Sequence, residues 1–215
     1  MSLLLDLIFP RTCYSCHHPG RYLCLNCQSK LIVRSIKYHK SGNIEGHLPL
    51  FHYHQPLKPM IQDLKFKFVS DLIPEISLLI SRTLKTNFPH LLEYWQKEKF
   101  ILVPIPLHPH RQNWRGFNQS ELIVHELSPL INLNYQHLLI RHIDTPPQTS
   151  IKDKSARHTN ISSAFHLDNQ SFSQSHWENQ NIILFDDVYT TGSTIRSAAT
   201  IFPKSSKIWA LTIAG

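Results

Sequence analysis

Residues 181–197, NIILFDDVYTTGSTIRS, constrain the fold more than any other part of the chain. NIILF (181–185) is a short, fully apolar run of buried-strand type, and STIRSAATIF (193–202) has the pattern of a helix. A buried strand feeding a helix through a short turn is the repeating unit of a parallel α/β sheet. Between residues 47 and 214 the only glycines are Gly116 and Gly192, and neither lies in a G-x-G-x-x-G. A dinucleotide-binding turn is thereby excluded, and without GKT or GKS so is a nucleotide-triphosphate P-loop.

The turn has its own chemistry. Amides and the hydroxyls of Thr190, Thr191, Ser193 and Thr194 can surround an anion, and Gly192 permits close approach. Asp186 and Asp187, read as leaving the strand just before it, would repel that anion but accept hydrogen bonds from neutral hydroxyls. A ligand carrying a diol at one end and a phosphate at the other, as ribose 5-phosphate does, satisfies both. The candidate ligand-binding stretch is therefore Asp186, Asp187, Val188, Tyr189, Thr190, Thr191, Gly192, Ser193 and Thr194.

All four cysteines fall in CYSCHHPGRYLCLNC: Cys13, Cys16, Cys24 and Cys27, two C-x-x-C knuckles joined by a short loop. Four thiolates at this spacing suit a closed tetrahedral zinc site, structural because no position is left for water. Disulfides are disfavoured because the start of the chain has no basic head or cleavage site of an export signal, which predicts a cytoplasmic location. A metal lets a segment too short to bury its own core hold a fold.

SGNIEG (41–46) reads as a linker, giving a zinc module over 1–45 and an α/β domain over 46–215. QSKLIVRSIKYHK (28–40) reads as a helix or as a strand with basic flanks. LPLFHYH (48–54) and FILVPIP (100–106) read as strands; 56–67, 71–88 and 119–131 as helices; HLLIRHI (137–143) as a strand or short helix; 145–165 as a long polar excursion; KIWALTIA (207–214) as a last strand. No apolar run approaches the ~20 residues of a membrane-spanning helix.

ILFDDVYTTGSTI resembles the phosphoribosyl-pyrophosphate (PRPP) signature of type I phosphoribosyltransferases. With FPRTCYSC (9–16), VPIPLHPHRQNWRGFNQSELI (103–123) and DTPPQTSIKDKSARHTNISSAF (144–165), nearly the whole chain is similar to the ComF family. The resemblance implies a type I phosphoribosyltransferase-like, mainly parallel sheet flanked by helices, preceded by a small four-cysteine zinc ribbon. It also implies PRPP with Mg²⁺ as ligand, and a role in DNA uptake during natural transformation. That role means handling single-stranded DNA at the cytoplasmic side of the inner membrane, peripheral to it, beside an uptake helicase or channel. By the same resemblance Arg111 and Arg115 contact the pyrophosphate, their guanidinium forks suiting it, and 144–165 is a hood over the ligand. Asn118 and Gln119 either cap the next helix or orient ligand or metal.

Two functional classes follow. One is a phosphoribosyltransferase acting on a nitrogen acceptor; in 6-oxopurine transferases the fifth residue of the motif is an aspartate base, and here it is Thr190, which cannot fill that role. The other is a single-strand binder. A net charge of +7 favours polyanions, and LKFKF (64–68) interleaves cations with aromatics, although Phe66 and Phe68 equally suit a strand core. The candidate DNA-contacting residues are Lys37, Lys40, Lys65, Lys67, Lys152, Lys154 and Arg157.

Overall fold

The computed structural model describes residues 11–39, 43–67, 69–142, 164–168 and 180–215. Its central sheet has the order β1-β2-β7-β6-β3. Here β1 is Lys37–Tyr38, β2 Ile44–Phe51, β3 Ile101–Pro104, β6 Ile182–Val188 and β7 Ile208–Ala214. β2, β7, β6 and β3 are mutually parallel, and β1 closes one edge antiparallel to β2. A separate antiparallel ribbon pairs β4 (Leu139–Arg141) with β5 (Phe165–Leu167).

Strand alternation sorts β6 onto two cores. Ile183 and Phe185 face a layer formed by α2 (Leu57–Phe66), α3 (Leu72–Asn87), α4 (Pro89–Lys97) and α6 (Gln119–Ile131). Ile182 and Leu184 face the other side, with α7 (Ser193–Ala199) and the β4–β5 ribbon. Helices therefore cover both faces, as the parallel sheet requires.

The structure corrects several boundaries. β6 does not end at Phe185: its pairing with β7 continues through Asp186↔Thr212 to Val188↔Ala214. Both acids thus lie within the strand, on opposite faces, instead of leaving it together. Ile44–Gly46, read as linker, open β2, which starts earlier than expected and ends at Phe51. Gly46 is there for space: an added Cβ would stand 2.8 Å from the Trp209 ring. Of the 28–40 stretch, Gln28 ends a four-residue helix, α1 (Leu25–Gln28), that belongs to the second knuckle, and Lys37–Tyr38 form β1. LKFK is the end of α2, and Phe66 is 57% exposed, so it is no strand core.

The cysteine module packs onto the helical layer. Both carboxylate oxygens of Glu75, in the first turn of α3, accept backbone amides, from Leu23 at 2.6 Å and Tyr22 at 3.1 Å. The Tyr14 hydroxyl donates to Asp63 of α2 at 2.8 Å, and Cys13 and Leu23 join the apolar cluster of that layer. Among the described residues no helix is long and apolar enough to cross a membrane.

Candidate functional site

The site forms where the parallel strands end, the usual ligand position in open α/β sheets. Asp187 is 3% exposed, and both its oxygens are taken: Lys65 Nζ donates to Oδ1 and Gln119 Nε2 to Oδ2, each at 2.6 Å. Gln119 Oε1 in turn accepts from Arg115 Nη1. The result is a buried row, Arg115–Gln119–Asp187–Lys65, gathered from α5 (Pro109–Arg115), α6, β6 and α2. Burial pulls the Lys65 ammonium downward, but the Asp187 carboxylate outweighs it and leaves the net shift upward. Burial lowers the Arg115 guanidinium, partly offset by Asp187.

Asp186 occupies the opposite face and is half-buried. Burial, and secondly repulsion from Asp187, push its carboxyl up to about 7, while Lys65, the Asp187 amide and Arg141 pull the other way. The adjacent carboxylates are thus set apart by environment: one paired on both oxygens, the other titrating near neutrality.

Tyr189–Gly192 then turn the chain into α7. Thr190 and Thr191 are exposed, Ser193 and Thr194 half-buried, so four hydroxyls border the turn. Thr191 Oγ1 donates to Ser193 Oγ at 3.0 Å, and Arg196 Nη1 to Thr191 O at 2.9 Å. Gly192 has φ +72°, and a Cβ there would lie 2.2 Å from the Tyr189 hydroxyl. Glycine is required here on both counts. Tyr189 stacks on His47 at 4.2 Å between centroids, tying the turn to β2.

Arg111 is half-buried on α5. Arg115 is 8% exposed and 5.8 Å from the Phe66 ring centroid, so it braces the acid row from inside the fold. Asn118 is the N-cap of α6: its Oδ1 accepts the Ser120 amide and its Nδ2 donates to Ile105 O. Asn118 thus caps the helix, whereas the Gln119 side chain does not cap it and instead bonds Asp187.

Of the lysines, Lys65 is committed to Asp187, Lys67 pairs with Asp63 at 3.0 Å, and Lys37 is exposed on β1. Lys40, Lys152, Lys154 and Arg157, with most of the hood stretch 144–165, lie outside the described residues. The sequence reading did not bring Lys65 to the acids. A signal existed: Leu57, Ile61, Leu64 and Lys65 share one face of α2 at i, i+4, i+7 and i+8, and a cation on an apolar stripe demands an anion.

The Sγ atoms of Cys13, Cys16, Cys24 and Cys27 all lie within 4.8 Å of one another, with Cys16 and Cys24 3.6 Å apart. Sulfurs around a tetrahedral zinc at ~2.3 Å stand ~3.8 Å apart, so the set fits such an ion. The Cys24 amide, 3.5 Å from Cys13 Sγ, gives it the kind of N–H···S support that metal-bound sulfurs take.

Fold and site together define a mainly parallel α/β protein with a four-cysteine module, whose sulfurs are spaced to hold a metal, docked on its helical face. No family model matches the chain. It is 30% identical over 170 residues to Competence protein F of Haemophilus influenzae, spanning 74% of this chain and 69% of that protein. It is 27% identical over 215 residues to Competence protein ComFC of Bacillus subtilis, spanning 92% and 80%. To DNA utilization protein YhgH of Escherichia coli it is 26% identical over 164 residues, spanning 74% and 68%. Among solved structures it is similar to a hypoxanthine phosphoribosyltransferase from Staphylococcus aureus, with TM-score 0.35 and 16% identity, over 66% of this chain and 62% of that one. The chain belongs to the competence protein F (ComF) family.

Proposed function

We propose that this chain serves DNA uptake in natural transformation by binding PRPP with Mg²⁺ and single-stranded DNA, its cysteine module held by structural zinc. The names of its relatives, competence and DNA utilization proteins, support the role. One observation carries the ligand: acids at the end of β6 run directly into a turn bordered by four hydroxyls. In this reading Asp186 and Asp187 accept the ribose hydroxyls, and the Thr190–Thr194 turn donates to the 5-phosphate. Mg²⁺ would supply charge neutralisation at the diphosphate, with Asp186, the less committed of the acids, as its protein-side carboxylate. Arg111 faces the polyanion from α5. DNA-contacting cations would come from Lys37, Lys67 and the four candidates outside the described residues. A peripheral, cytoplasmic-side position beside the uptake helicase or channel belongs to the same proposal.

Calorimetric titration with PRPP and Mg²⁺ tests the ligand. Saturable binding that Asp187→Asn weakens, with one zinc per chain retained, supports it; no heat with either protein refutes it. For the strand, affinity should fall steeply with salt, and a salt-independent affinity contradicts a phosphate-tracking surface.

A specific observation favours transferase activity as a second reading. Asp186, with its carboxyl near 7, can take up and release a proton at neutral pH, which Thr190 cannot. Release of pyrophosphate from PRPP with a panel of nitrogen bases, abolished in Asp186→Asn, is the test.

A further inference from the structure

At the opposite ends of the strands, a cavity of about 650 Å³ opens on the helical face of the sheet. Tyr38, Glu45, Phe88, Tyr94 and Trp209 are among its lining residues. Its volume lies in the range of small-ligand sites, and four of its eleven lining residues are Tyr, Phe or Trp, with His39 and His90 beside them. Tyr38 stands edge-on to Trp209 at 5.7 Å and is 70% exposed, forming an outer wall that nothing in the described fold covers.

A carboxylate sits among these rings. Glu45 Oε2 accepts from Trp209 Nε1 at 2.8 Å and from Tyr94 Oη at 3.0 Å. Those two donors fill its lone pairs. Among the described residues no hydrogen bond reaches Oε1. Oε2 ties β2 to β7 and α4, whereas Oε1 is not sealed inside the fold and is open to solvent, where the donor of a ligand in the cavity can replace water.

We infer that this cavity binds the ammonium end of an alkyl primary amine, with Glu45 Oε1 accepting its N–H and the Tyr38 and Phe88 rings beside its charge. Ring faces attract cations, and the attraction grows where water is excluded. A guanidinium or a guanine edge would need both carboxylate oxygens, and Oε2 is already full; a point-like ammonium needs one. Among the described residues no neighbouring lysine bonds Oε1. Lys37 alternates to the far side of β1, where it helps depress His47, and Lys207, which does not line the cavity, pairs with Glu98 at 3.1 Å and lies 5.7 Å from the Tyr94 ring centroid, so it takes one face of that ring and leaves the carboxylate.

The experiment is calorimetric titration of the full chain with n-butylammonium and with butan-1-ol, its neutral near-isostere. Saturable binding of the amine, roughly tenfold tighter than the alcohol, is expected, and Tyr38→Ala and Glu45→Gln should each weaken it by a similar factor. Tyr38 is exposed, so its removal leaves the core intact even if the Glu45 variant folds poorly. Equal affinity for amine and alcohol, no saturation in the millimolar range, or an unchanged affinity in Tyr38→Ala overturns the inference. Spermidine and a blocked lysine amide then separate a free polyamine from a protein side chain as the natural source; tighter binding of either than of n-butylammonium upholds the site.

Discussion

Replacing Asp186 by asparagine should stabilise the protein above neutral pH relative to its behaviour in acid. In the fold the carboxyl is pushed from its ordinary 3.8 to about 7, by burial first and Asp187 second. Unfolded, it ionises near 3.8. Between these values the native state holds a proton that the unfolded chain has released. The stability this confers is fully present below the unfolded value and is lost as pH rises through the folded one, ~4 kcal/mol over the whole window. Between pH 5 and pH 8 the loss is about 2–3 kcal/mol. Asparagine mimics the protonated acid and loses nothing. Urea unfolding of both proteins at the two pH values measures this, and taking the difference between them cancels the titrating groups that do not interact with Asp186. The asparagine variant should gain about 2–3 kcal/mol on wild type from pH 5 to pH 8. An equal difference at both pH values would refute the environment assigned to Asp186.

Lys65→Met strands a buried Asp187 with Gln119 as its remaining partner and should destabilise by about 3–5 kcal/mol; Lys65→Met with Asp187→Asn should recover most of it in a double-mutant cycle. His47 is held neutral down to about 4 by burial first and then by His39, Lys37 and Arg34, so its stabilisation is present above 6.5 and is lost as pH falls through 4. His47→Phe, which keeps a ring on Tyr189, should flatten that acid limb in thermal melts. Gly192→Ala meets both the positive φ and the Tyr189 hydroxyl, and should lower stability by ~1–3 kcal/mol in urea unfolding and weaken PRPP binding.

The elements with one dominant signal were legible in the sequence. The period of 3.6 in 119–131 matches α6 residue for residue, and the cysteine spacing gathers four sulfurs as expected. The turn at Tyr189–Gly192 also falls where the motif put it. What escaped was set by partners far along the chain. β6 runs on through two acids because β7 keeps pairing with it, and no local propensity announces that. Gly46 looks like a flexible linker residue and is instead a place where Trp209 leaves no room. The path from Lys65 to Asp187 crosses 122 positions of sequence, and only the helical stripe of α2 hinted at it.

A crystal structure of the chain soaked with PRPP and Mg²⁺ tests the central claim most directly. The account predicts the ribose hydroxyls against Asp186 and Asp187 and the 5-phosphate within the Thr190–Thr194 turn. A phosphosugar bound elsewhere, with this turn empty, would contradict it.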